Sequence, residues 1–106
     1  MPMRYSGLIP GADERIDLSD GLVHTLDSTK YDPASHSLGS AVVAILIPVG
    51  GNISIRSVGS DPSATLGLPF KENQAIKICS HQVIKKLRVI KTSGTSVYLN
   101  VEYYHL

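Results

Sequence analysis

The chain has no tryptophan, one phenylalanine and one cysteine in 106 residues. A single thiol, Cys79, cannot close an internal disulfide, so a disulfide-stapled secreted scaffold is excluded. Nor can one cysteine build a structural zinc site, and His24, His36, His81 and His105 show no chelating spacing such as H-x-x-x-H. Charge is sparse, at 18% of residues against about 25% in ordinary globular chains. The net charge of +1 offers no strong field to nucleic acid or an anionic membrane. Long apolar runs are missing as well. The longest, AVVAILIPV at Ala41–Val49, has nine residues, against the ~20 a helix needs to cross a bilayer. The N-terminal stretch carries acids and two prolines where a signal peptide would be apolar. A soluble protein made in a cytoplasm is the expectation.

What charge there is divides unevenly. Residues 1–50 hold three basic and six acidic side chains, a net of −3, and residues 51–106 hold seven and three, a net of +4. The two halves could neutralise each other within one domain, or attract head to tail between copies in an assembly.

The hydrophobic pattern is that of short strands. VYLNVEYY alternates Val97, Leu99, Val101 and Tyr103 with Tyr98, Asn100, Glu102 and Tyr104. AVVAILIPV is short, β-branched and bounded by glycines, which selects a strand over a helix, and Gly50-Gly51 then suggests a hairpin into NISIRSVG. Further strands are expected in DGLVHTLDS, ENQAIKICS and LRVIKTS, and residues 80–86 could form a helical turn capped by Ser80. Residues 29–40 and 60–70 read as loops, with Asp32-Pro33 and Asp61-Pro62 as turn signals. No window supports a long amphipathic helix. Six or seven strands punctuated by turns predict an all-β fold, a small antiparallel β-sandwich or barrel-like domain over residues 20–106. Residues 1–19, with Pro2, Gly7, Pro10 and Gly11, read as an extended N-terminal arm that could end in a short strand.

Catalytic chemistry is hard to find. Cys79 stands near His81 but follows Ile78 in a strand-like run, which predicts a buried, inert thiol. Asp13, Glu14 and Asp17 lack the D-x-[DN]-x-[DN]-G calcium loop and read as a solvated acidic cluster. Gly50-Gly51 belongs to no phosphate-binding motif. Lys85, Lys86, Arg88 and Lys91, with Lys77, could form a basic stripe near Tyr98 or Tyr104, but aromatics are 6% and no nucleic-acid-binding signature is present. No nucleophile, base and oxyanion donor can be named together, so neither an enzyme nor a cofactor is expected.

The segment GLPFKENQAIKI…VIKKLRVIKTSGTSVYLNVEYY, over residues 66–104, resembles the ending of many small phage virion proteins, in which a "G-x-P-L/F … I-x-I" strand precedes an "L-x-V-I … G-T-x-V-x-V-x-Y-Y" hairpin. That resemblance implies a small β-sandwich virion protein, foremost a capsid decoration (cement) protein. It would bind the major capsid protein and other copies of itself, with a homotrimer favoured and the virion as its location. A tail, neck or fibre component is the alternative. From a different class comes a carbohydrate- or host-surface-binding β-domain, with Tyr31, Tyr98 and Tyr104 as stacking platforms.

Both faces of AVVAILIPV are apolar: Ala41, Val43, Ile45, Ile47 and Val49 on one, and Val42, Ala44, Leu46 and Pro48 on the other. One face must meet the domain's own core, and a two-layer sandwich supplies no cover for the second. The second set is expected to meet the arm or another copy. The predicted interface residues are therefore Val42 and Leu46, Arg4, Tyr5, Asp13, Glu14 and Arg15 of the arm, and the basic Lys85, Lys86 and Arg88.

Overall fold

The computed structural model describes residues 8–32, 39–57, 61–63 and 66–105. The elements, in chain order, are β1 (Ile9–Asp17), β2 (His24–Thr25), α1 (Ser28–Tyr31), β3 (Ala41–Val49), β4 (Ile53–Arg56), β5 (Leu68–Phe70), β6 (Ile76–Ile78), α2 (His81–Lys86), β7 (Arg88–Lys91) and β8 (Tyr98–His105). They form two four-stranded antiparallel sheets, β1-β8-β3-β6 (sheet A) and β2-β7-β4-β5 (sheet B). The principal extents, 36 × 32 × 19 Å, are those of a two-layer slab. The all-β sandwich expected from the strand pattern is the architecture found.

The core forms where the two inner faces meet. Leu99, Val101 and Tyr103 of β8 are buried, as the alternation predicts, against Ala44 and Leu46 of β3 and against Ile53, Ile55 and Val89 of sheet B. The short helices fill gaps at the rim of the layers. In α1 the Asp27 side chain caps the helix, accepting from the Thr29 amide at 2.9 Å and its hydroxyl at 2.7 Å, and Tyr31 is buried. In α2, Ser80 accepts from the Val83 amide as expected, and Ile84 enters the core.

Three expectations need correction. Residues 9–17 are an edge strand of sheet A, paired with β8 along their length, and not a free arm. An irregularity between Pro10 and Asp13 interrupts the alternation and hid the strand, while Ala12 and Ile16 pack against the core. Next, β3 and β4 are not a hairpin, because they lie in different sheets, and so do β7 and β8. The connections between them are corners that carry the chain across the sandwich, and they pack on each other. A Cβ on Gly50, whose φ is +88°, would collide with the Ser96 carbonyl, and one on Gly51 with that of Ser93. Thr92 N–H donates to the Asn52 carbonyl at 2.8 Å, and Asn52 N–H to the Ser93 hydroxyl at 3.0 Å. Finally, two segments expected as loop carry regular elements: residues 29–32 contain most of α1, and Leu68–Phe70 of the segment 60–70 form β5, paired with β4.

Candidate functional site

The phase of β3 fixes which apolar face is left over. Pairing with β8 runs Ala41↔His105 and then Val43↔Tyr104, so one extra residue, Val42, is accommodated between them. Ala41 thereby joins Ala44, Leu46 and Pro48 on the inner side, all buried. Ile45, Ile47 and Val49 point outward and are half-buried, with Val43 at the end of the same strip. The expectation for Leu46 is therefore corrected: it is 0% exposed and a core residue. The open apolar face carries Ile45 and Ile47, while Val42 is half-exposed at the irregularity.

Register sets the neighbours of this strip. One row across sheet A reads Asp13, Glu102, Ile45, Lys77. The next reads Arg15, Asn100, Ile47, and a third Asp17, Tyr98, Val49. Tyr104 stands beside Val43. Arg15 is held in place: its Nε donates to Asn100 Oδ1 at 2.9 Å, and its guanidinium lies 4.8 Å from the centre of the Tyr98 ring. Hydrogen bonds from the Ser19 side chain and amide hold the Asp17 carboxyl below its ordinary pKa, so it stays charged. The outer face thus carries Asp13, Arg15 and Asp17 on the edge strand β1, Tyr98, Asn100 and Glu102 on central β8, an apolar strip on β3, and Lys77 on the other edge strand, β6.

A second cluster sits inside. Glu14 points inward from β1, where its Oε2 accepts from the Tyr103 hydroxyl at 2.5 Å and from the Asp27 amide at 3.1 Å. The Tyr31 ring lies 6.0 Å from those of Tyr103 and His81. Burial, then the bond to Glu14, raises the Tyr103 pKa, and burial raises that of Tyr31. This cluster ties β1, α1 and β8 together, with Glu14 as the shared acceptor.

The remaining predicted residues scatter. Arg4 and Tyr5 lie outside the described residues. Asp13 and Arg15 are exposed on the outer face of β1. Lys85 and Lys86 are exposed in the last turn of α2, and Arg88 lies in sheet B with its Nη1 2.6 Å from Asp61 Oδ1. A single basic stripe does not form, since Lys77 and Arg88 belong to different sheets. Cys79 is exposed, contrary to expectation, because it continues the outward parity of Lys77 past the end of β6. Tyr31 is buried and cannot be a stacking platform, and one face of Tyr98 carries Arg15. Among the described residues no cluster of three or more histidine, cysteine or acidic side chains is arranged to hold a metal. Across sheet B, Ile55, Arg56, Ser57, Gly67 and Leu68 line an open groove of about 310 Å³. Strand periodicity alone does not place Ile45 and Ile47 on the surface or Lys77 beside them, because it fixes neither the phase of β3 nor its partners. The outward parity of Asn100 and Glu102 was legible, but their pairing with β3 was not.

No family model, curated protein or solved structure matches this chain.

Proposed function

We propose that this chain is a non-enzymatic virion structural protein, a capsid decoration protein that binds a capsid surface and neighbouring copies of itself. The observation that carries the reading is the outer face of sheet A, where half-buried Ile45, Ile47 and Val49 form an apolar strip on central β3, flanked by Glu102, Asn100 and Tyr98 of β8 and by charged side chains on the edge strands β1 and β6. An apolar centre with a polar rim is the anatomy of a protein interface. The sequence resemblance over residues 66–104 supplies the virion context. It supports the reading as a pattern of strands and turns, although the segment it matches as a hairpin is an inter-sheet corner here.

The test is co-sedimentation of the purified protein with heads of the encoding virus that lack it. Saturable binding is expected, and it should be lost in Ile47→Asp, which leaves the core untouched. Failure of the folded wild-type protein to bind heads overturns the decoration reading, and binding to isolated tails would move it to the tail alternative.

A further inference from the structure

Sheet A has one long open edge. Its edge strands are β1, with nine residues, and β6, with three, while sheet B ends in β2, with two, and β5, with three. Short edges offer little to a further strand, and Pro69 removes a donor from β5. β1 differs, and its ladder shows which of its backbone groups are open. Leu18 N–H donates to the Val97 carbonyl at 2.8 Å, in the register that pairs Asp17 with Tyr98. Backbone groups alternate sides along an antiparallel strand. Leu18, Ile16 and Glu14 therefore turn their N–H and C=O groups to β8, and Asp17, Arg15 and Asp13 turn theirs to the open edge. Among the described residues nothing hydrogen-bonds to those three N–H and three C=O groups. The strand is also held ready, because Glu14 fixes its inner side to Tyr103 and to the Asp27 amide.

We infer that the edge of β1 between Asp13 and Asp17 accepts an extended segment of another protein as a fifth, antiparallel strand, one that carries basic side chains four residues apart opposite the two aspartates. Charge selects this occupant. Asp13 and Asp17 are exposed, and hydrogen bonds from Ser19 keep Asp17 ionised. Arg15 between them is turned onto β8, with its Nε on Asn100 and its guanidinium 4.8 Å from the Tyr98 ring centre. The edge itself therefore presents acid. A second β1 is a poor fit. Its open backbone groups also belong to residues 13, 15 and 17, so a pairing centred on Arg15 sets Asp13 against Asp17 twice, and like charges directly opposite are destabilising. A shift of two residues either way sets Arg15 opposite an aspartate, but its side chain is already engaged by β8, and one aspartate of each copy is left facing Gly11 or Ser19. A segment with two basic side chains meets both aspartates and leaves Arg15 where it is.

Strand addition draws affinity from main-chain bonds and selectivity from alternate side chains, and the test reads the two apart. The probe is the end-capped nonapeptide Thr-Val-Lys-Val-Thr-Val-Lys-Val-Thr, titrated into the isotope-labelled full chain. Saturable amide shifts are expected, centred on Asp13, Arg15 and Asp17. Hydrogen exchange at the Arg15 amide, fast in the free protein, should slow by about tenfold or more at saturation. Glutamate in place of both lysines should weaken binding by about tenfold, and N-methylation of the peptide's edge-facing amides by at least as much. Asp13→Lys combined with Asp17→Lys should reverse the preference between the lysine and glutamate peptides, with circular dichroism to confirm the fold. No saturation at millimolar peptide, or equal binding of the glutamate or N-methylated peptide, overturns the inference. So does slow exchange at Arg15 in the free protein, whether it arises within one chain or through a second copy. The edge lies two strands from Ile47. Ile47→Asp, which tests the capsid reading, should leave peptide binding unchanged, so the two readings can fail separately.

Discussion

Ile45 and Leu46 are neighbours of similar size and polarity, and the two sides of one strand give them different work. Leu46 is fully enclosed, so Leu46→Ala should cost about 2–5 kcal/mol by lost transfer energy and a residual cavity. Ile45→Ala, at a half-buried outer position, should cost under about 1.5 kcal/mol in the monomer. Urea titrations of the two variants check the contrast, and equal losses would mean the phase of β3 is misassigned. Tyr103 and Tyr31 make a pH prediction. Both have folded-state pKa values above the ordinary 10.0, so above that pH the unfolded chain releases protons the folded one keeps. Stability is therefore full below about pH 10 and falls as pH rises, by up to about 1.4 kcal/mol per pH unit for Tyr103, with Tyr31 adding in the same direction. Thermal melts between pH 8 and 11.5 should show this decline, and Tyr103→Phe should remove the larger part of it.

Elements were legible where one face alone is apolar. β8 alternates without a fault, so its extent and its inward residues could be read directly. β1 could not, because a bulge beside Pro10 and Gly11 breaks the period, and because its inward set includes Glu14, whose partner Tyr103 lies 89 positions away. The supposed hairpins failed for a different reason. Gly-Gly satisfies a two-residue hairpin and an inter-sheet corner equally well, and strand periodicity names no partner. What distinguishes the corner is the close approach of a second corner, visible only once residues 50–51 and 93–97 are brought together. Gly50→Ala adds a Cβ at φ +88° directly against the Ser96 carbonyl. It should destabilise by more than about 1 kcal/mol, where a free hairpin turn would feel only the backbone penalty. Ser80→Ala removes one capping bond from α2 and should cost about 1 kcal/mol. Denaturant midpoints measure both.

At the scale of the molecule, a two-layer slab cannot cover both sides of its own central strand, and β3 is apolar on both. That much follows from composition alone. Which side faces out does not, because a single extra residue at Val42 shifts the phase, and only the register with β8 reveals it. The candidate surface was thus legible as a need and illegible as a place, and Leu46, first assigned to it, belongs to the core face. Coupling between folding and assembly separates the two faces by experiment. If the outer face is buried between copies, the wild-type melting temperature should rise with protein concentration. For a chain of this size the rise is about 3–5 °C per tenfold, once the concentration exceeds that for self-association. Ile47→Ser should flatten that dependence while leaving the low-concentration melting temperature within a few degrees of wild type. Leu46→Ser should lower the melting temperature at every concentration, because it strikes the core of each copy. A flat wild-type profile would show that folding and self-association are uncoupled. A low-concentration loss in Ile47→Ser as large as that in Leu46→Ser would show that the outer strip serves the fold of one chain.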